Sequence, residues 1–151
     1  MNTELMFSSK KEDWETPRGF FDNLNEEFHF TLDAAASPEN AKCADYFTKE
    51  QDGLIRSWAE QVVWLNPPYG RYTTEKWVKK AYEEHQRTGC TVVMLLPART
   101  DTIWFHDYIL GKAEIRFVKG RLRFGECKDP APFPSLVAIY RREKQNENTM
   151  R

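Results

Sequence analysis

The chain has 151 residues, 40% of them apolar and 30% charged, with a net charge of −1 at pH 7. That composition excludes a disordered or fibrous protein and supports one folded domain with its own core. The near-neutral charge argues against indiscriminate binding to polyanions, so a nucleic-acid partner has to be met by a local basic surface.

No apolar stretch approaches the roughly 20 residues needed to span a bilayer. Near the start, Lys10, Lys11, Glu12 and Asp13 interrupt any signal-peptide core. Cys43, Cys90 and Cys127 are odd in number and far apart, which fits free thiols in a reducing cytoplasm better than a disulfide framework.

Residues 1–12 lack periodicity and read as a flexible leader. Trp14-Glu15-Thr16-Pro17 is turn-like and leads into Phe20, Phe21, Leu24 and Phe28, whose spacing predicts an amphipathic helix. Thr31 to Ala36 reads as a short strand running into a loop closed by Ser37-Pro38, and residues 39–57 are irregular, with a turn at Asp52-Gly53. Val62-Val63-Trp64-Leu65 is a buried strand. Thr73 or Thr74 is expected to cap a helix carrying Trp77, Val78, Ala81 and Tyr82, ending before Gly89. Cys90 to Leu96 is a fully apolar strand halted by Pro97. Residues 101–110 suit a short helix capped by Thr100 or Asp101. Glu114–Val118 and Arg121–Phe124 are expected to form a hairpin turning at Lys119-Gly120. A proline-rich loop, Pro130 to Pro134, precedes a last strand, Leu136 to Tyr140, and 143–151 read as a flexible tail.

Apolar strands alternating with helices indicate an α/β fold, a mostly parallel sheet with an antiparallel edge hairpin. Ligands bind such sheets beyond the carboxyl ends of the strands. Asp33 and Asn66 both sit at such ends and are expected to face one crevice.

Asn66-Pro67-Pro68-Tyr69 follows the 62–65 strand directly. Each proline fixes its own φ, lacks an amide hydrogen and keeps its predecessor extended. The Asn66 side-chain oxygen and the Pro67 carbonyl therefore make a stiff acceptor pair beside the Tyr69 ring. An exocyclic amino group has two hydrogens for such acceptors, at about 2.9 Å each. Preorganised acceptors out of the ring plane favour a tetrahedral nitrogen and free its lone pair for attack. A base reaches such a pocket only by leaving its stack, and an aromatic platform offsets the loss. The same four residues also make an ordinary proline turn, and by themselves they do not say which amino group is served.

Other patterns point elsewhere only weakly. The histidines and cysteines lack zinc-ligand spacing, so a zinc deaminase is disfavoured and no metal is expected. There is no Walker loop and no G-x-G-x-x-G. His106, beside Trp104 and Phe105, reads as a helix-surface residue rather than a catalyst. Arg71, Lys76, Lys79 and Lys80 cluster at and after the proline loop, with 76, 79 and 80 on one helical face. Arg116, Lys119, Arg121 and Arg123 lie in the hairpin region, where alternation places Arg121 and Arg123 on one side. Arg71, Lys76, Arg121 and Arg123 are the candidate DNA contacts.

Asn-Pro-Pro-Tyr matches the signature of S-adenosylmethionine-dependent amino-group methyltransferases. The wider pattern resembles the small phage-type DNA N6-adenine methyltransferases, the Dam family of phages. It is carried by Trp14-Glu15-Thr16-Pro17, Leu32-Asp33, Asn40-Ala41-Lys42-Cys43, Tyr46-Phe47, Asp52-Gly53-Leu54 and Trp64 to Tyr69. Further on it includes Trp77 with Lys80-Ala81, Leu95-Leu96-Pro97-Ala98, Asp101-Thr102, Trp104-Phe105-His106 and Gly120-Arg121-Leu122 with Phe124.

The resemblance implies a Rossmann-like methyltransferase sheet in a single domain over 13–142, and a location in the cytoplasm, that of the host for a phage-encoded protein. It implies that Asn66, Pro67, Pro68 and Tyr69 form the catalytic loop acting on adenine in DNA. Trp14, Thr16 and Pro17 would belong to the element at the methionine end of the cofactor, Asp33 and Ala34 to the loop near its amino group, and Asp52 to its adenosine. Alanines at 34–36 stand where most such enzymes carry a glycine-rich loop. Cytosine N4 and a glutamine amide offer the same chemistry, and a catalytically silent DNA-binding protein with this fold is the rival of another class. Target discrimination is expected to be modest, or to come from 116–134 or from a second subunit.

Overall fold

A computed structural model describes residues 14–125 and 129–143. The leader expected over 1–12, Cys127 and the tail beyond 143 lie outside the described residues.

Five strands form one sheet: β1 Leu32–Asp33, β2 Val62–Leu65, β3 Thr91–Pro97, β4 Glu114–Phe117 and β5 Ser135–Tyr140. Their spatial order is β1-β2-β3-β5-β4. β1, β2 and β3 pair in parallel, and β5 is antiparallel to both β3 and β4. β4 therefore runs with the first three strands, and four of the five point one way. The fold is mixed α/β with a mostly parallel sheet.

Helix α1, Arg18–Phe28, buries Phe21 and Leu24. Helix α2, Thr73–Thr88, buries Trp77, Val78 and Ala81 and stops where Gly89 takes φ 74°, a conformation glycine adopts without steric penalty. Strand alternation sends side chains to two cores. One face holds Val63, Leu65, Met94, Leu96 and Leu136 against Trp77 and Val78 of α2. The other holds Trp64, Val93, Leu95 and Val137 under α1 and an aromatic layer of Trp14, Tyr69, Phe124 and Phe133. β3 lies between β2 and β5 and is apolar throughout because both its faces are covered. Each large aliphatic side chain buried there is worth about 1.5–3 kcal/mol.

Three expectations are corrected. Residues 121–124 form no strand, and the antiparallel edge is β4 against β5. The Val118 amide donates to Ser135 O at 3.0 Å, while Leu122 O accepts from the Ala131 amide at 2.8 Å. β5 offers β4 a buried partner with four register pairs, which a free-standing two-stranded hairpin does not match. The alternation argument for Arg121 and Arg123 falls with the hairpin, although both are exposed. The short helix expected within 101–110 is present over 103–109 but closes as a π-helical turn, Phe105–Ile109, and the hydroxyl that accepts from its Phe105 amide is Thr102, not Thr100 or Asp101. Finally, α2 has no side-chain cap, and Thr74 turns its hydroxyl back to accept from the Gly70 amide at 3.2 Å.

One buried carboxylate locks α2 to the segment before β2. Glu84 accepts from the Trp58 amide at 2.6 Å and pairs with Arg87 and Lys80. Burial pushes its carboxyl up, but the Trp58 amide and the two cations together hold it below the usual carboxylate range.

Candidate active site

β1 and β2 are neighbours, with Asp33 in register with Trp64. Asp33 therefore ends one strand and Asn66 follows the end of the next, on the face that carries Trp64. Both expected strand-end residues come together on one edge of the sheet.

Asn66 is gripped from a distance in sequence. Its Nδ2 donates to Trp14 O and, at 3.0 Å, to Thr16 Oγ1. A main-chain carbonyl only accepts, so this partner decides which end of the amide carries nitrogen. Both N–H groups are thereby engaged, and Oδ1 is left buried without a partner among the described residues. The loop behind it is stiffened by the two prolines and by Thr74, which sits 3.5 Å from Pro68 O. Tyr69 is buried at 5% exposure. Its hydroxyl donates to Leu95 O at 3.0 Å, and its ring meets Phe124 and Phe133 edge-on, with centroids 6.3 and 5.7 Å away.

Asp33 is 3% exposed. Its Oδ2 accepts from the Lys42 amide at 3.0 Å, while Oδ1 has no partner among the described residues. Desolvation pushes its carboxyl up to about 6, against the opposing pull of the Lys42 amide, of the Ala35 amide nearby, which makes no full hydrogen bond to Oδ1, and of the Lys42 charge. An anionic oxygen held this way is matched to a cationic or N–H-bearing ligand group.

Ala34, with no exposed surface, hydrogen-bonds to β2 through its amide and Trp64 O at 3.1 Å. Close backbone approach here depends on Gly53, because a Cβ added to Gly53 would stand 2.2 Å from Ala34 O. The glycine lies across from the loop after β1 rather than in it. Asp52, just before it, holds φ 56° and accepts from the Leu54 amide at 3.1 Å, so Asp52 and Asp33 are joined through the Gly53–Ala34 contact. Pro17 precedes α1, and its carbonyl accepts from the Phe21 amide.

The basic candidates separate by partner. Lys79 pairs with Glu83, and Lys80 is held between Arg56 O, Glu84 and the Trp58 ring. Arg116 is committed to Glu27 and Glu114. Lys76 and Arg123 are exposed, Arg71 lies 5.3 Å over the exposed Tyr72 ring, and Arg121 donates to Ala131 O at 3.3 Å. His106 is exposed, one ring nitrogen 2.8 Å from Thr100 O. Among the described residues, no group of His, Cys, Asp or Glu is placed to hold a metal, and no helix is long and apolar enough to cross a membrane.

Comparison with known proteins bears on this geometry directly. The family model for DNA N-6-adenine-methyltransferase (Dam) matches residues 4–150. The chain belongs to that Dam family. It is 39% identical over 156 aligned residues to the DNA N-6-adenine-methyltransferase of Escherichia phage T1, covering 89% of this chain and 64% of the phage protein. A second relative in Escherichia coli (strain K12), the putative methyltransferase YfdM, is 38% identical over 65 residues, which is 38% of this chain and 71% of that protein. The Dam chain described here thus spans just under two thirds of the phage T1 relative.

Proposed function

We propose that this protein transfers a methyl group from S-adenosylmethionine to the N6 amino group of adenine in DNA, as a single methyltransferase domain on a Rossmann-like sheet. The observation that carries the reading is the Asn66 amide, its nitrogen held by Trp14 O and Thr16 Oγ1 and its oxygen buried and unpartnered among the described residues. Dam-family membership and the name of the phage T1 relative supply adenine and DNA.

Asn66 Oδ1 accepts one hydrogen of the target amino group and Pro67 O the other, drawing the nitrogen toward a tetrahedral shape. Asp33 Oδ1, with Ala34 beside it, suits the ammonium end of the cofactor, and the orphaned oxygen is the feature that fits. S-adenosylmethionine held there would supply an electrophilic sulfonium methyl, the C–S bonding pair returning to sulfur as the target nitrogen takes the methyl. The surplus proton leaves afterward to water, and no strong base is required. Trp14 and Thr16 act by fixing the amide, with Pro17 starting α1 behind them and Asp52 facing the adenosine side. Stacking of a flipped base on Tyr69 requires Phe124 and Phe133 to part, since the ring is buried beneath them. Arg71, Lys76, Arg121 and Arg123 are exposed cations near this edge and take DNA phosphates. Target discrimination is modest, or falls to residues 116–134 or to a second subunit.

Labelled cofactor incubated with DNA, followed by digestion to nucleosides, tests the reading. Label in N6-methyldeoxyadenosine supports it, and label confined to cytosine or absent from DNA overturns it.

A further inference from the structure

Three buried side-chain oxygens have no hydrogen-bond partner among the described residues: Asp33 Oδ1, Asn66 Oδ1 and Ser135 Oγ. The first two belong to the site above. Ser135 lies about 100 residues from Asp33 in sequence, yet the sheet sets it on the same edge and face. Asp33 is in register with Trp64, and Trp64 with Val93. Asn66, two residues on, falls level with Leu95, whose partner is Val137, and Ser135 opposes Pro97, two residues further still. All these positions alternate onto the face of the aromatic layer.

The three oxygens therefore climb a diagonal across β1, β2 and β5. From strand and residue spacings, the Cα of Asn66 lies roughly 8 Å from that of Asp33 and roughly 12 Å from that of Ser135. The main chain of Ser135 is occupied, its carbonyl accepting from the Val118 amide, and the residue is 1% exposed. A hydroxyl buried without a partner is destabilising, so a sheet position that would suit valine or alanine carries an unexplained penalty.

We infer that Ser135 Oγ is a third polar group of the substrate site, donating to a ring nitrogen of the base whose amino group lies at Asn66. The inference rests on the methyl-transfer reading. In-line attack aligns the target nitrogen with the methyl carbon and its leaving sulfur, and a tetrahedral nitrogen carries its ring at an obtuse angle to that line, on the side away from the methyl donor. With Asp33 on the donor side, the base extends from Asn66 away from Asp33, which is toward Ser135. The gap between Asn66 and Ser135 is the size that one heteroaromatic ring with a hydrogen bond at each end fills. Contact requires Phe124 and Phe133 to part, the same movement that exposes Tyr69. Ser135 is thus a base-binding residue that distinguishes rings by their acceptor pattern.

The test uses the full chain and DNA duplexes in which the target adenine is replaced by its 1-, 3- or 7-deaza analogue. S135A is expected to lower kcat/KM on adenine roughly 10- to 100-fold, with cofactor affinity by calorimetry unchanged and a melting temperature at or above wild type. On the analogue lacking the contacted nitrogen, wild type falls to the S135A level and S135A falls no further. S135A with wild-type kcat/KM overturns the inference. So does a uniform loss on adenine and all analogues with a lowered melting temperature, which marks a structural hydroxyl. Wild-type protein that methylates no DNA base removes the underlying reading itself.

Discussion

Thr16 Oγ1 accepts a hydrogen from Asn66 Nδ2 at 3.0 Å, across 50 residues of sequence. This bond and the one to Trp14 O choose which end of the amide is left without a partner among the described residues. In Thr16→Val the amide keeps one partner and can rotate. Methyl transfer is expected to slow roughly 10-fold, on the scale of one buried hydrogen bond, with little change in cofactor affinity. Single-turnover kinetics and calorimetry check both halves. Equal loss of cofactor binding would place Thr16 at the cofactor instead.

Asp33 makes a pH prediction. Its carboxyl is raised from 3.8 to about 6, so the folded state holds this proton more tightly than the unfolded chain. Its stabilising contribution is full below about pH 4 and is lost as pH rises through about 6, a difference on the order of 3 kcal/mol by pH 7. Asp33→Asn is expected to melt higher than wild type at pH 7.5, with the advantage shrinking toward pH 4. Cofactor affinity in the wild type should fall below pH 6 as the carboxylate protonates, and should be weakened at least 10-fold in Asp33→Asn at pH 7.5. Melting curves and calorimetry from pH 4.5 to 8 read both.

Gly53 holds no functional group, but a Cβ there would meet Ala34 O at 2.2 Å and the Trp77 ring at 3.1 Å. Backbone must shift to admit it. Gly53→Ala is expected to destabilise by about 1–3 kcal/mol and to weaken cofactor binding, because Ala34 adjoins Asp33. Urea melts with calorimetry measure the two effects.

For DNA, removing Lys76 or Arg123 is expected to weaken binding evenly across sequences and to reduce the salt slope by about one unit each. Arg116→Ala should leave that slope unchanged, since its guanidinium already holds Glu27 with two contacts of 2.7 Å. Titrations at several salt concentrations distinguish the two classes.

The place of Asn66 just after β2 was legible because strand, double proline and aromatic are adjacent in the chain, and local chemistry is what a sequence displays. β2, β3, β5 and α2 were legible from apolar runs and from Gly89. The brace from Trp14 and Thr16 was not, since nothing near Asn66 announces a partner 50 residues earlier. Lys119-Gly120 between alternating segments reads as a hairpin, yet β4 gains more by joining the buried strand β5. Gly53 is where the missing glycine of the Ala34 loop reappears, on the opposing segment, a substitution visible only once the two are packed. Ser135 stands in an apolar strand as a single polar letter, and only its lack of a partner among the described residues marks it.

The central claim is that the Asn66 amide oxygen polarises the target amino group. The most direct measurement is single-turnover methyl transfer to DNA by Asn66→Ala, with cofactor affinity measured on the same protein. The account predicts a rate lowered at least 100-fold, the scale of losing one preorganised hydrogen-bonding group, with cofactor affinity within a few-fold of wild type. Transfer by Asn66→Ala within a few-fold of wild type would contradict it.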